Sequence, residues 1–349
     1  MQESFQQFLK QIQLIQTQAI KQAKIDPSFS FKEFSYQNTP PKMVAIDGSN
    51  RWIWYNPDVN ARIAIIRAAA VVYEYRPELK TIRLIDQEYK DTPVLIAPDN
   101  LDILNYDQDM KLLHQEIKKA LGRRPTAQGI LNQLRELEEY KLAEIMALKY
   151  SDSLVVVDGA LTIVQVKQIE DAAKNLREAC IDCNNILIGI SKRNTTRRLN
   201  SNLTDEALVK RLTRDDPRLL YTELRGIPRG KQLYPPLGRT FLAKLHPKPI
   251  KTFRIDIVFQ ESQERQIETI LSDLAYYSMV ESVPGYPFPL VDAHNIAVLL
   301  RRVPDIFNNE LIDAGSTIGI EEEELLRYLI TRENLERDPF HRHLDDITR

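Results

Sequence analysis

The segment MVAIDGS, residues 43–49, is an apolar run that ends in Asp47 and Gly48, and LVVVDGAL at residues 154–161 repeats the pattern later in the chain. Aliphatic and β-branched runs of this length predict buried strands, and the glycine permits a sharp turn after each one. A carboxylate at the end of a buried strand is unfavourable unless a positive group meets it. Two such strand ends side by side would hold Asp47 and Asp158 at one edge of a sheet, as in many divalent-metal sites. The simpler alternative is that each aspartate only caps a turn.

The composition predicts a folded protein without an overall basic charge. The chain has 349 residues, of which 43% are hydrophobic and 28% charged, and its formal net charge is −2. A nucleic-acid site must therefore be a local basic patch. Cys180 and Cys183 have a C-x-x-C spacing but no second ligand pair, which predicts two reduced thiols. The sequence contains neither a signal peptide nor an apolar segment of membrane-spanning length, so we expect a cytoplasmic protein without a membrane contact.

The first part of the chain predicts a helix, a linker and an antiparallel meander. Residues 2–25 carry apolar side chains at helical spacing, and the proline-containing segment 27–41 is typical of a linker. The strand that ends at Asp47 comes next. Residues 62–75 and 81–89 predict two further strands joined by a tight turn.

Helices and strands alternate in the middle of the chain. Residues 107–121 and 126–149 predict helices, and the second is rich in strong helix formers. The strand that ends at Asp158, a helix at 164–180 and a strand at 186–192 follow. A meander followed by this alternation predicts an α/β protein whose mixed sheet has a parallel half.

The last part of the chain is less regular. Residues 219–237 predict a loop, whereas 240–245 and 252–259 show the alternation of strands. Helices are expected at residues 261–279, 291–302 and 321–335, and a polar tail follows the last of them.

Four segments together resemble the NurA nuclease family. They are AIDGSN at residues 45–50, VVVDGAL at 155–161, GISK at 189–192 and YPFPLVDAHNIA at 286–297. The resemblance covers about residues 40–302, with the segments in the family's order. It implies a ribonuclease H-like fold with a mixed five-stranded sheet, whose first three strands are antiparallel, and flanking helices.

The resemblance also implies how the chain is divided. Residues 1–40 would form an N-terminal helix and linker, and residues 41–302 the nuclease domain. That domain would contain a β-containing insertion at about 199–280. Residues 303–349 would form C-terminal helices and a polar tail.

By the same resemblance, the nuclease site consists of acidic residues and a histidine that bind Mn²⁺ or Mg²⁺. Asp47, Asp158 and His294 match the family's motifs, and two ions are expected. The remaining acid lies on the helix before the second Asp-Gly strand, where Glu139 fits best. Glu138 and Glu144 remain alternatives. Asp47 would bridge the ions, Asp158 and Glu139 would complete the ligand set, and His294 would either ligate a metal or protonate the leaving group.

Four further residues are candidates for contact with nucleic acid. Lys192 takes the position of the family's Ser-Lys element and could hold a substrate phosphate. Arg193 extends the positive run, although a solvated basic loop is an equal alternative. Tyr286 and Phe288 could stack on bases, whereas the prolines beside them favour a packed turn.

The resemblance therefore predicts a metal-dependent DNA nuclease that degrades single strands from 5′ to 3′ and also cuts them internally. Such a protein would act as a homodimer docked on a HerA-like hexameric translocase in DNA end resection and repair. An actin- or sugar-kinase-like phosphotransferase is an alternative, but Gly48 follows Asp47 directly and a second glycine-rich phosphate loop is missing. A non-catalytic subunit that docks DNA or protein is a third hypothesis.

Overall fold

The computed structural model describes most of the chain between residues 2 and 323. The described residues are 2–21, 29–36, 39–56, 60–96, 113, 115–117, 119, 120, 126–162, 166–192, 196, 197, 199, 203–224, 237–249, 251–258, 267–298 and 303–323. The helices expected at 107–121 and 321–335 lie mostly outside these residues.

The described strands form one mixed sheet of nine strands. In chain order they are β1 (Lys32–Phe34), β2 (Met43–Asn56), β3 (Ala61–Arg76), β4 (Thr81–Ile96), β5 (Leu154–Asp158), β6 (Ile186–Ser191), β7 (Leu219–Glu223), β8 (Arg239–Lys244) and β9 (Phe253–Val258). Their spatial order is β1-β7-β8-β9-β6-β5-β2-β3-β4. β5 is parallel to both β2 and β6, and all other neighbouring pairs are antiparallel. The expectation of a mixed α/β sheet is confirmed.

Helices cover both faces of this sheet. In chain order they are α1 (Gln2–Lys21), α2 (Ala127–Lys149), α3 (Lys167–Asp182), α4 (Asp205–Leu212), α5 (Ile267–Tyr276), α6 (Phe288–Ala297) and α7 (Val303–Thr317). One apolar core joins the sheet to α2 and α3, and a second core joins it to α5 and α6. None of the helices in the described part of the chain has the length and apolar character needed to cross a bilayer.

Strand β2 lies at the centre of both cores. Val44 and Ile46 belong to the α2/α3 core, whereas Met43 and Ala45 belong to the α5/α6 core. All four side chains are completely buried. Because successive side chains point to opposite faces of a sheet, an unbroken apolar run is the pattern expected of a strand covered on both sides.

The prediction that the first strand ends at Asp47 was wrong. β2 continues through Gly48 to Asn56, and it pairs with β3 along this length apart from a bulge between Trp52 and Trp54. The later half of β2 contains tryptophan, isoleucine and tyrosine, which favour strands. Asp47 therefore lies in the interior of a long strand rather than at a turn.

Two shorter segments also differ from expectation. The predicted linker at 27–41 contains β1, which pairs with β7. The predicted loop at 219–237 begins with β7, because Leu219, Leu220 and Tyr221 are buried as a strand before the prolines and glycines of the segment are reached. Residues 225–236 lie outside the described part of the chain.

The sheet has nine strands where the resemblance implied five. Strands β2–β6 alone have the spatial order β4-β3-β2-β5-β6, with β2, β3 and β4 antiparallel. Strands β7–β9, from the region expected as an insertion, extend this sheet because β9 pairs with β6. The assignment of the five strands to the ribonuclease H-like class stays a prediction.

Candidate metal centre

Asp47 is held on the face of the sheet that α5 and α6 cover. Its side chain is 3% exposed, and its Oδ1 accepts a hydrogen bond of 2.7 Å from the backbone N–H of Gly48. The side chain of Glu139 packs directly against Gly48 from the other face: a Cβ at residue 48 would lie 2.3 Å from Glu139 Oε1. Glycine is thus required here by a close approach, and not by a turn as the sequence suggested.

Asp158 lies beside Asp47 because their strands are neighbours. β5 runs parallel to β2, with Ile46 opposite Val157, so the residues that follow in each strand are adjacent. β5 ends at Asp158, and the backbone then turns at Gly159, whose φ is +154°. The second Asp-Gly segment therefore follows the predicted pattern of an acid at a strand end.

His294 completes the cluster from α6. Its Nδ1 lies 2.6 Å from Asp47 Oδ2, and its side chain is 48% exposed. One ligand atom each from Asp47, Asp158 and His294 lie within 4.8 Å of one another. Oxygen ligands sit about 2.0–2.6 Å from Mg²⁺ or Ca²⁺, so donors on one ion are at most about 4–5 Å apart. The three residues therefore match the size of a divalent-cation site.

The electrostatics of the cluster are those of a site for a cation. Burial raises the pKa of Asp47, and the negative charge of Asp158 raises it further. Lys192 and the hydrogen bond with His294 act in the opposite direction. Two adjacent carboxylates repel each other by roughly 4 kcal/mol at about 4 Å and an effective dielectric constant near 20. A divalent cation would remove this repulsion.

Glu139 lies on the opposite side of β2 from the three clustered residues. It belongs to α2, its side chain is 3% exposed, and its Oε1 is 3.1 Å from Nη1 of Arg135. Burial raises the pKa of Glu139 to about 8; Arg135 lowers it, and the charges of Asp47 and Asp158 raise it. Glu139 therefore interacts electrostatically with the cluster, although it contacts β2 at Gly48 on the opposite face of the sheet.

The two alternative acids on α2 have other surroundings. Glu138 accepts hydrogen bonds from Lys90 and Lys141, each of 2.9 Å, and thereby joins α2 to β4. Glu144 is five residues beyond Glu139, which places it about 140° around the helix and about 7.5 Å along it. Of the acids considered, Glu139 alone packs against Gly48.

Lys192 contacts one acid of the cluster. It follows β6 directly, and its ammonium group hydrogen-bonds to Asp158. The same group lies 5.3 Å from the centre of the Tyr286 ring. The ammonium group of Lys192 is therefore placed beside the acids, where it would meet a phosphate that enters the site. The prediction for Arg193 lies outside the described residues.

Tyr286 and Phe288 are packed against other side chains. Tyr286 is buried, and its ring centre lies 5.2 Å from that of Phe253. Phe288 packs edge-on against Tyr73, with 4.9 Å between ring centres. These contacts agree with the packed-turn alternative for Tyr286, whereas Phe288 is only partly buried. A stacking role for either ring stays a prediction.

Two further features surround the site, and the first of them was not predicted from the sequence. Arg135 donates a hydrogen bond of 2.9 Å from Nη1 to the carbonyl of Gly48, so it ties α2 to the backbone beside Asp47. Asp292, two residues before His294, accepts a hydrogen bond from Tyr73 instead of joining the cluster. The i,i+4 spacing of Arg135 and Glu139 was the one sequence signal for the first feature.

The donor atoms of the cluster suit a hard divalent cation. The buried hydroxyl of Tyr286 interacts with the carboxylate of Asp158. Burial, followed by the charges of Asp158 and Asp47, raises the pKa of Tyr286. Oxygen donors together with one imidazole suit Mn²⁺ or Mg²⁺.

Comparisons with known proteins place the chain in a family. A comparison with curated proteins gives no match. Among solved structures, the NurA nuclease from Sulfolobus solfataricus is 17% identical with a TM-score of 0.55, over 91% of this chain and 98% of that one. A NurA structure with manganese is 12% identical with a TM-score of 0.53, over 88% of this chain and 98% of that one. These likenesses show a shared fold. The model of the NurA domain family matches residues 41–299, well over half of the sequence, and the chain therefore belongs to the NurA family.

Proposed function

We propose that this protein is a metal-dependent DNA nuclease that hydrolyses phosphodiester bonds in single strands. The observation that carries the proposal is the convergence of Asp47, Asp158 and His294 from two strands and a helix into one cluster of ligand size. Membership of the NurA family and the manganese in a structure of similar fold support it. A fold gains no stability from two adjacent carboxylates, so their placement favours function over a structural role.

Asp47 and Asp158 would hold the metal ions directly. Glu139 lies on the other face of β2, at Gly48, and would influence the ions through its charge. Two hard cations about 3.5–4 Å apart can activate water and stabilise a leaving alkoxide, and this is the chemistry that Mn²⁺ or Mg²⁺ would supply. Lys192 is positioned to hold a substrate phosphate. His294, which is half exposed, can serve either as a ligand or as the group that protonates the leaving oxygen.

The domain division belongs to the same proposal. Residues 41–302 would be the nuclease domain, with β2–β6 as a ribonuclease H-like core and about 199–280 as an insertion that widens the sheet. Residues 1–40 and 303–349 would be accessory segments. The addition of β7–β9 to one edge, while both site acids lie on β2 and β5, supports this division.

The proposed setting is the cytoplasm, where a homodimer would dock on a HerA-like hexameric translocase during end resection and repair. Helix α1 supports an assembly role because it exposes large apolar side chains. These are Phe5, Phe8, Leu9, Leu14 and Ile15. Exposed apolar groups gathered on one helix are typical of contact surfaces.

Cleavage of end-labelled single strands tests the function and its polarity. With Mn²⁺, we expect a 5′-labelled oligonucleotide to release its label at once as short products, whereas a 3′-labelled one shortens gradually. Closed circular single strands should be cut more slowly by the internal activity. Chelation of the metal should abolish all three reactions. A purified protein that cuts none of these substrates with Mn²⁺ or Mg²⁺ would refute the proposal.

A further inference from the structure

An exposed tyrosine lies on the same sheet face and in the same row as the candidate acid Asp47. Asp47 pairs with Ala69 on β3, and Ala69 pairs with Tyr89 on the edge strand β4. Residues directly opposite each other in neighbouring strands point to the same face. Because strands are about 4.8 Å apart, Tyr89 stands roughly 10 Å from Asp47 across the sheet. The side chain between them is the small methyl group of Ala69.

Tyr89 has one occupied ring face and a large exposed surface. The Cζ atom of Arg67 lies 4.6 Å from the centre of the Tyr89 ring. Arg67 is two residues before Ala69 on β3, so its side chain points to the same face of the sheet. Tyr89 is nevertheless 58% exposed. One face of the ring therefore has a cationic backing, and solvent reaches the rest of it.

Asp91 holds Arg67 rigidly in this position. Nε and Nη2 of Arg67 each donate a hydrogen bond of 2.7 Å to one carboxylate oxygen of Asp91. The bidentate pair fixes the plane of the guanidinium and neutralises its charge. Arg67 is therefore not a free cation for a phosphate. It supports the ring of Tyr89, which offers a flat aromatic surface in a fixed position.

We infer that Tyr89, backed by Arg67, is a stacking subsite for a base that flanks the scissile phosphate at Asp47. The inference rests on the proposed nuclease function. A stacked strand advances about 3.4 Å per nucleotide, so a distance of roughly 10 Å corresponds to about two or three nucleotides. Stacking on an aromatic face tolerates any base, which suits a nuclease that advances along a strand of arbitrary sequence.

Binding to a single strand with and without bases tests the subsite. The probes are a fluorescent strand of twelve thymidine nucleotides, dT12, and an abasic strand of the same length. Both are titrated in Ca²⁺ with protein that carries Asp47→Asn, which prevents cutting. Tyr89→Ala should weaken binding of dT12 by about 5- to 150-fold. The same substitution should change binding of the abasic strand by less than about twofold, because no base is left to stack. The slope of affinity against salt should not change, since no phosphate contact is lost.

Matched variants separate stacking from general damage. Tyr89→Phe keeps the ring and should restore most of the affinity for dT12. Tyr36→Ala removes a tyrosine of similar exposure, 52%, just beyond β1 at the opposite edge of the sheet, and should leave binding unchanged. Circular dichroism and light scattering monitor folding and oligomeric state.

The outcomes of this test are distinct from those of the nuclease assay. Equal loss for dT12 and the abasic strand, or no loss for either, would overturn the stacking subsite even if the wild type cuts DNA. A change in mass with unchanged affinity would show instead that Tyr89 contacts a second copy of the chain. A wild type without nuclease activity would refute the proposed function, whereas selective loss of dT12 binding would still support the subsite.

Discussion

Asp47→Asn and Asp158→Asn are each expected to reduce DNA cleavage with Mn²⁺ by about a thousandfold or more. Each substitution keeps the shape of the side chain and removes one anionic ligand from a cluster whose ligand atoms lie within 4.8 Å of one another. A metal ion contributes several kcal/mol to stabilising the transition state, and roughly 4 kcal/mol corresponds to a factor of a thousand in rate. Initial rates on a labelled single strand measure the effect.

Asp47→Asn should not destabilise the metal-free protein. Burial and the charge of Asp158 both raise the pKa of Asp47, so ionised Asp47 is a disfavoured group in the folded state. We therefore expect the melting temperature in EDTA to stay equal or to rise. Lost activity in a well-folded variant would identify Asp47 as a functional acid rather than a structural one.

A control residue lies just before β5, the strand that carries Asp158. Asp152 is exposed and has a φ of +52°, a conformation that asparagine also adopts readily. Asp152→Asn should retain wild-type cleavage. Undiminished cleavage by Asp47→Asn or Asp158→Asn would reject the site as assigned.

The second large effect is expected in the pH dependence of stability. Burial raises the pKa of Glu139 to about 8, whereas in the unfolded chain the group titrates near its ordinary value of 4.5. Between these pH values the folded protein binds more protons than the unfolded chain. The free energy of unfolding therefore falls as the pH rises through this window, by up to about 5 kcal/mol. Below about pH 4.5 this contribution is fully present.

Urea unfolding in EDTA between pH 5 and pH 8.5 measures the contribution. Glu139→Gln cannot ionise, so we expect the variant to show a flatter profile and to exceed the wild type in stability at the alkaline end. Glu144→Gln, a change of the same kind on another face of α2, should follow the wild-type profile. Parallel profiles for wild type and Glu139→Gln would contradict the raised pKa of buried Glu139.

Much of the site could be predicted because it follows from strand geometry. Asp47 and Asp158 each follow an aliphatic run in a strand, and parallel neighbouring strands bring equivalent positions together. This argument needs only the residue types and their order. His294 could not be placed in this way, since it approaches from a helix far along the chain, and only its resemblance to a family motif indicated it.

The rest depended on contacts between distant residues. Gly48 suggested a turn, but the structure shows that it makes room for Glu139, whose position under β2 depends on how α2 packs. Tyr286 stood out as an aromatic residue in a motif, yet packing against Phe253 buries its ring. The exposed ring on the row of Asp47 is Tyr89, and its position follows from the pairing register of β2, β3 and β4, which periodicity alone does not fix.

A crystal of the protein soaked in Mn²⁺, with anomalous scattering recorded at the manganese edge, tests most directly whether distant acids and a histidine share one cation. We predict an anomalous peak at bonding distance from carboxylate oxygens of both Asp47 and Asp158, with a nitrogen of His294 at the same ion or beside it. Manganese bound only elsewhere, with the cluster of Asp47, Asp158 and His294 unchanged at saturating metal, would contradict the account.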